Sequence, residues 1–385
     1  RMEYSPEHLI HKRAATRTCV RCVMDDTDPV IIFDDEGVCN HCHEQARRWL
    51  LEVPPVDQRA GELKRLVDRL KEDGRGKPYD CLIGLSGGVD SSMVAYELRK
   101  RGVRPLALHL DNGWNAEVSV RNVKNLVSSL DIDLKTHVLD WPEFRDLQLA
   151  FIRSGVINWE IPTDHAITAL LFRSAKEHGV KYIISGSNLA TEAIMPTSWG
   201  YDHGDWRHIR AIHKCYGTKR LSNFPRQNLI DWGLNALVRG IRFIPILNLI
   251  EFERSRAMEL LARDFGWSDY GPKHGESVFT RMFQCYFLPE RLGIDKRKAH
   301  LSSMIGSGQL TRDDALQELE HPPYPEQLLA VDLPFFRKKL GLDEQDIEEL
   351  LARPAVSHLA YPNNEKLFDR LGGLVAFARK RVKTI

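Results

Sequence analysis

The chain has 385 residues, 43% of them hydrophobic and 28% charged, with 54 basic side chains against 53 acidic ones. That length holds two or three domains of ~100–200 residues, and the composition is that of an ordinary globular protein. A net charge of +1 gives no electrostatic case for a nucleic-acid or membrane partner, while leaving a local basic patch open. No apolar run approaches the ~20 residues that span a bilayer, and none near the start reads as a signal peptide. Seven cysteines, four of them in metal spacing, lead us to expect a reducing cytoplasm.

Those four are Cys19-Val-Arg-Cys22 and Cys39-Asn-His-Cys42, with sixteen residues between the pairs. Two such knuckles close a tetrahedron of thiolates with no open position, so residues 14–50 are expected to form a structural zinc module. Two disulfides or an iron–sulfur cluster are the rivals, disfavoured by compartment and spacing. His41 and His43 read as surface histidines rather than ligands. Pro29 to Val38 is expected as a hairpin turning near Asp35 to Gly37.

Pro54-Pro55 marks a linker, and Leu63, Leu66, Val67 and Leu70 predict an amphipathic helix closed by Gly74 and Gly76. Cys81 to Leu85 is too short for a helix and suits a buried parallel strand. It runs into Ser86-Gly87-Gly88-Val89-Asp90-Ser91-Ser92, after which Met93 onward is helical. Strand, glycine turn and helix aim backbone N–H groups at a phosphate. The serines can add hydroxyl donors, and Asp90 can cap the helix or hold Mg²⁺.

Pro105 to Leu110 is a second strand ending in Asp111-Asn112. A helix follows over residues 115–130, then a strand from Lys135 to Leu139. Helices are expected from Pro142 and over Thr163 to His178, and a fourth strand over Tyr182 to Ser185. Such alternation predicts an α/β class, a parallel sheet with helices on both faces, spanning residues 59–300. Ligands in such sheets sit at the carboxyl ends of the strands, which puts Asp111 beside Asp90. The fourth strand ends in Gly186-Ser187-Asn188, with Glu192 just beyond. Residues 195–240 are expected as a loop-rich insertion over the mouth of the sheet, where Trp199 and its aromatic neighbours would stack on a sugar or base. Arg242 to Leu249 is expected as an edge strand because of Pro245. Lys273, in a polar turn-rich loop, is a candidate catalytic cation. Arg281, Lys296, Arg297 and Lys298 are candidates for an anion clamp, or else a solvated basic face. Residues 301–385 are helical and charged, with no chemistry.

The Ser86–Ser91 hexapeptide is neither a Walker loop nor a dinucleotide fingerprint; it resembles the PP-loop of the N-type ATP pyrophosphatases. These include asparagine, GMP and NAD synthetases and the tRNA thiolases. The resemblance implies that ATP is cleaved between its α- and β-phosphates, with the loop holding pyrophosphate. Gly186 to Glu192 looks like the corresponding NAD-synthetase segment, which implies that Asp90 and Glu192 hold Mg²⁺. Together with Asp25-Asp26-Thr27-Asp28-Pro29, the knuckles and Gly293 to Ser303, the chain resembles the N-acetyl sugar amidotransferases of lipopolysaccharide O-antigen and flagellin sugar pathways, from about Thr18 to Leu319. That implies an acetamido group of a nucleotide-linked sugar converted to acetamidino, with release of AMP. Cys81, Cys215 and Cys285 lack a glutaminase-like setting. Ammonia is therefore expected from a separate glutaminase subunit of the histidine-pathway kind, with or without a cyclase-like subunit. A tRNA thiolase is the rival; it would need Cys215 and Cys285 to be reactive. An interaction scaffold with an inactive loop is the third reading.

Overall fold

Successive side chains of a strand point to opposite faces, and in the central strands of this chain both faces are apolar. The computed structural model describes residues 5–370. Its first elements are β1 (Leu9–Ile10), α1 (Asn40–Glu52) and α2 (Val56–Asp73). The sheet unit follows: β2 (Cys81–Gly84), α3 (Val89–Lys100), β3 (Pro105–Asp111), α4 (Glu117–Leu130), β4 (Asp133–Val138), α5 (Trp141–Ser154), α6 (Ile161–His178) and β5 (Tyr182–Ser185). Beyond it come α7 (Leu189–Glu192), α8 (Trp206–Tyr216), α9 (Leu229–Gly233), β6 (Arg242–Pro245) and α10 (Arg254–Phe265).

The five strands lie in the order β4-β3-β2-β5-β6, all parallel. Cys81, Ile83, Ala107, Ile184 and Ile244 face a core built with α2, α3, α4 and α10. Leu82, Leu106, Leu108 and Ile183 face the other way, onto Leu171, Phe172 and Ala175 of α6. Helices thus cover both faces, as the β-α alternation predicts. The last strand is an edge strand, where the missing N–H of Pro245 costs no ladder bond. It is shorter than expected: after Pro245 the chain turns into a 3₁₀ segment, Ile246–Leu249.

The remaining helices are α11 (Val278–Met282), α12 (Leu288–Leu292), α13 (Arg297–Gly306), α14 (Arg312–Glu320), α15 (Glu326–Leu340), α16 (Glu344–Ala352) and α17 (Glu365–Arg370); between the last two lies β7 (Ala355–Val356), which pairs with β1. They form a third core in which Phe279, Phe283, Phe336 and Leu350 meet Phe144 and Phe151 of α5, Ile209 and Ile212 of α8, and the four knuckle cysteines. The N-terminal cysteine module and the C-terminal helices therefore share one apolar interior.

Two expectations need correction. Between Pro29 and Val38 the turn is present, with Gly37 N–H donating to Asp34 O at 3.0 Å. Pairing is reduced to one bridge, Phe33 with Cys39, because the Asp34 carboxylate takes the N–H groups of Glu36 and Val38. The 195–240 stretch is less loop-like than its composition suggests, since α8 runs through it, capped by Asp205 accepting from His208 N–H. Trp199 is buried in the third core rather than presented to a ligand, being 3% exposed.

His208 and His358 form a buried pair with Nε2 and Nδ1 2.9 Å apart. Asn158 N–H donates to His358 Nε2, so the His358 proton lies on Nδ1 and goes to His208. Burial holds His208 down at about 4 and His358 well below the usual imidazole range. An unfolded histidine takes its proton near ~6.5, whereas the folded one resists until about 4. The contribution is therefore complete above the unfolded value and lost as pH falls toward the folded one. Urea midpoints should fall across that window, and a His208→Phe variant should show a shallower fall.

Candidate active site

β2 and β5 are neighbours, but the chain leaves them toward opposite sides of the sheet, opening a crevice at their carboxyl ends. The turn after β2 fills one side of it. Gly87 has φ +87°, and a Cβ there would lie 2.5 Å from the Ser119 carbonyl oxygen, so only glycine fits. Its own carbonyl accepts from Trp267 Nε1–H at 2.9 Å. Gly88 is the extended N-cap of α3, and its N–H reaches Ser86 Oγ at 3.2 Å. Ser91 Oγ–H donates to Gly88 O. Gly186, from the end of β5, packs on the start of α3 so closely that a Cβ would lie 3.1 Å from Asp90 C.

This interlock brings Asp90 and Glu192 near one another, and Lys273 sits between them. Its Nζ is 3.1 Å from Glu192 Oε1, 3.8 Å from Asp90 Oδ2, and donates to Thr191 Oγ1 at 2.8 Å. His274 Nε2 lies 3.6 Å from the same Glu192 oxygen. Burial raises the Asp90 carboxyl; Lys273 opposes that and Glu192 reinforces it. Burial also works against Glu192, but the charge and hydrogen bond of Lys273 outweigh it and hold that carboxyl below its ordinary range. Burial keeps His274 neutral, down at about 3, and His300 beside it well below the usual value. Glu276 closes the ring: its Oε1 accepts from Ser86 Oγ–H at 3.1 Å, and burial pushes its carboxyl up.

Several buried polar atoms here have no protein partner: Asp90 Oδ1, Ser92 Oγ, Glu276 Oε2 and His300 Nε2. A glycine-floored turn with orphaned carboxylate oxygens beside it fits a magnesium-bound polyphosphate, with Asp90 and Glu192 as the oxygen donors. Ser86, Gly186, Ser187, Asn188 and Glu192 all line the same cleft of about 1630 Å³. Gly87, Gly88, Asp90, Ser91, Ser92 and Lys273 do not themselves line it.

The cleft runs on past Asn112, Thr163 and Thr280 to a second polar end. There Gln284 Nε2–H donates to Glu160 Oε2 at 2.7 Å, and Lys296 Nζ stands 4.0 Å from that oxygen. Asp164, one helical turn after Glu160, lines the cleft with its carboxyl raised by burial and drawn back down by His203 and Lys296. Of the basic candidates only Lys296 reaches the cleft. Arg297 is turned onto Asp295, and Lys298 onto Asp25 of the cysteine module. Arg281 is buried in a two-bonded pair with Asp332, which Tyr324 also joins, so it fixes architecture. Asp111 accepts from Gly113 N–H to shape its own turn; its neighbour Asn112 lines the cleft instead. Glu160, Asp164, His274 and Glu276 were not singled out from the sequence. For Glu160 and Asp164 the available signal was two carboxylates four apart at the start of a helix. Glu276 had none, because its importance comes from a contact across 190 residues.

Away from the cleft, the sulfurs of Cys19, Cys22, Cys39 and Cys42 lie within 4.8 Å of one another. Neighbouring sulfurs are 3.7 to 4.0 Å apart. Zn–S bonds of ~2.3 Å give a tetrahedral edge of about 3.8 Å, so these residues fit a four-thiolate metal. Disulfides would need pairs near ~2.05 Å. The N–H groups of Arg21, Cys22 and Cys39 point at Cys19 Sγ, and that of Met24 at Cys22 Sγ. Such bonds stabilise thiolates. His41 is turned away, onto the buried Asp28.

Fold and site together define an α/β protein with a glycine turn and two carboxylates at the switch point of a doubly wound parallel sheet. Residues 276–374 match the family described as LPS biosynthesis protein WbpG-like, C-terminal domain. No curated protein matches the chain in sequence. Among solved structures it is similar to an NMN synthetase from Francisella tularensis, at 15% identity over 73% of this chain and 93% of that one, with a TM-score of 0.35. It is also similar to an NH3-dependent NAD synthetase from Campylobacter jejuni, at 18% identity over 54% of this chain and 93% of that one, TM-score 0.29. A U34-tRNA thiolase from Methanococcus maripaludis with its [4Fe-4S] cluster gives 15% identity over 80% and 90%, TM-score 0.33. The fold assignment rests on the strand order and connections above, not on these superpositions.

The turn itself can be tested. Gly87→Ala meets both the positive φ and the Ser119 carbonyl, so ATP affinity measured by calorimetry should fall at least about tenfold. Gly61→Ala, in the open middle of α2, should leave it unchanged.

Proposed function

We propose that this protein binds ATP through Ser86–Ser92 and adenylates the acetamido oxygen of an N-acetylated, nucleotide-linked sugar, which ammonia then converts to an acetamidino group. The observation that carries this reading is the glycine turn at the switch point with Asp90, Glu192 and Lys273 gathered beside it. The match of residues 276–374 to an LPS biosynthesis family supports a bacterial surface-sugar substrate.

An amide carbonyl is a poor electrophile, because nitrogen delocalises into it and oxide does not leave. Attack of the amide oxygen on the α-phosphorus expels pyrophosphate and leaves an O-adenylylated carbon. Ammonia adds to that carbon, loses a proton, and AMP departs with the oxygen. Asp90 and Glu192 would hold Mg²⁺, which supplies positive charge to the polyphosphate. The turn's N–H groups and Lys273 orient the phosphates and stabilise charge on the departing pyrophosphate. Glu160, Thr163, Asp164 and Gln284 at the far end offer the donors and acceptors that a sugar requires. No nucleophilic side chain is needed.

Among the described residues no cysteine lines the cleft. Cys81 and Cys285 are buried, with thiols pushed up by desolvation, Cys285 to about 12. That weighs against a built-in glutaminase and against thiolase chemistry, and supports a separate glutaminase subunit, with or without a cyclase-like carrier. No helix of the described residues is long and apolar enough to cross a membrane. We place the reaction in the cytoplasm, where ATP and nucleotide sugars are made, with the four thiolates holding a structural Zn²⁺.

Incubating the protein with ATP, Mg²⁺, ammonium and UDP-linked acetamido sugars should release AMP and pyrophosphate, with a product lighter by the difference between O and NH. Asp90→Ala or Lys273→Ala should cut turnover by about 10²–10³, and Cys215→Ser with Cys285→Ser should not. ADP as product overturns the reading. Elemental analysis should find about one zinc per chain, lost in Cys39→Ser together with thermal stability.

A further inference from the structure

An exposed helix normally turns polar residues to water. The segment formed by α9 and the π-turn that continues it, Leu234–Val238, does the opposite. Ile230, Leu234, Leu237 and Val238, at helical spacing i, i+4, i+7 and i+8, are 74, 42, 41 and 76% exposed. Four exposed aliphatic side chains gathered on so short a segment mark a contact surface. Its surroundings say which kind. From residue 214 to 239 the chain carries Lys214, Lys219, Arg220, Arg226 and Arg239, all exposed, against one acidic residue, Asp231. Asp231 is spent in a capping box with Asn228 at the positive end of the helix. In a chain whose net charge is +1, this is a basic run along the sequence, with Arg226 and Arg239 bracketing the apolar segment.

We propose that this helix seats the protein on an anionic membrane surface, with its apolar stripe in the headgroup boundary and the flanking arginines and lysines on lipid phosphates. Basic flanks around an unpaired apolar face are the signature of an interfacial helix. A second copy pairing through the same face would bring two basic rims together. The chain's own residues 371–385, outside the described part, carry Arg379, Lys380, Arg381 and Lys383 with no acidic residue, so like charge also disfavours them as the cover. A nucleic acid would meet the charge but leave four aliphatic side chains in water. Leu229 and Trp232, on the same helix, line the cleft. Seating would therefore hold the cleft at the bilayer surface. The inference does not depend on the reaction proposed above.

The test uses the full chain and vesicle flotation. Vesicles of phosphatidylglycerol with phosphatidylcholine should carry the protein, phosphatidylcholine alone should not, and added salt should weaken binding. Leu237→Ser with Val238→Ser, and separately Arg226→Glu with Arg239→Glu, should each reduce the bound fraction at least about tenfold. Both pairs are exposed, and the arginine pair gives up only the Arg239 bond to Asn235 Oδ1, so melting curves should stay within a few degrees of the parent. Absence of anionic-vesicle binding, equal binding by both variants, or capture of tRNA or a second copy through this face in place of vesicles overturns the proposal.

Discussion

Two carboxylates cannot share a dry crevice unless something positive stands between them. Asp90 opens the helix after β2 and Glu192 closes the short helix after β5. The ammonium of Lys273 joins them, at 3.8 and 3.1 Å. Lys273 belongs to neither strand; it comes from the loop that leads into α11. The crevice is thus finished by a segment far away in sequence, and its electrostatic balance depends on that segment's placement.

The placement is in turn held from behind. Arg281 ties the 273–282 stretch to α15 through Asp332, and donates to Gly275 O at 2.9 Å. Removing one partner would strand a buried charge, which is why such pairs lock geometry more than they add stability. The same stretch delivers Glu276 to the glycine turn, and the helices after it deliver Gln284 and Lys296 to the far end of the cleft. That stretch, in which only the basic residues stand out in the sequence, also supplies His274, Ser277 and Thr280 to the lining.

What the sequence made legible is local. Alternating short apolar runs and helical periods gave the sheet and its helices, because each element's register is written in its own residues. Ser86 to Asp90 declared itself through strand, glycines and helix in succession, and the cysteine knuckles through spacing. What it hid is tertiary. Arg281 and Arg297 carry the same charge as Lys296, yet each is consumed by an acidic neighbour that periodicity does not reveal. Trp199 is aromatic whether it stacks on a ligand or fills a core, and only its burial decides. The polarity of 195–240 hid α8 because half of that helix faces water, leaving its apolar side too narrow to read as a period.

Ser86 spends its hydroxyl hydrogen on the Glu276 side chain, so that place beside the turn already has a tenant. The tenant's main chain is fixed: Glu276 O accepts from Ala116 N–H at 2.9 Å and from Ser119 Oγ–H at 3.0 Å. Only its side-chain torsions are free to move. Freeing the Ser86 hydroxyl therefore calls for a turn of one side chain rather than a shift of the main chain. Any guest that takes Ser86 as its donor thus meets a side chain to turn aside, held on a main chain that is already anchored.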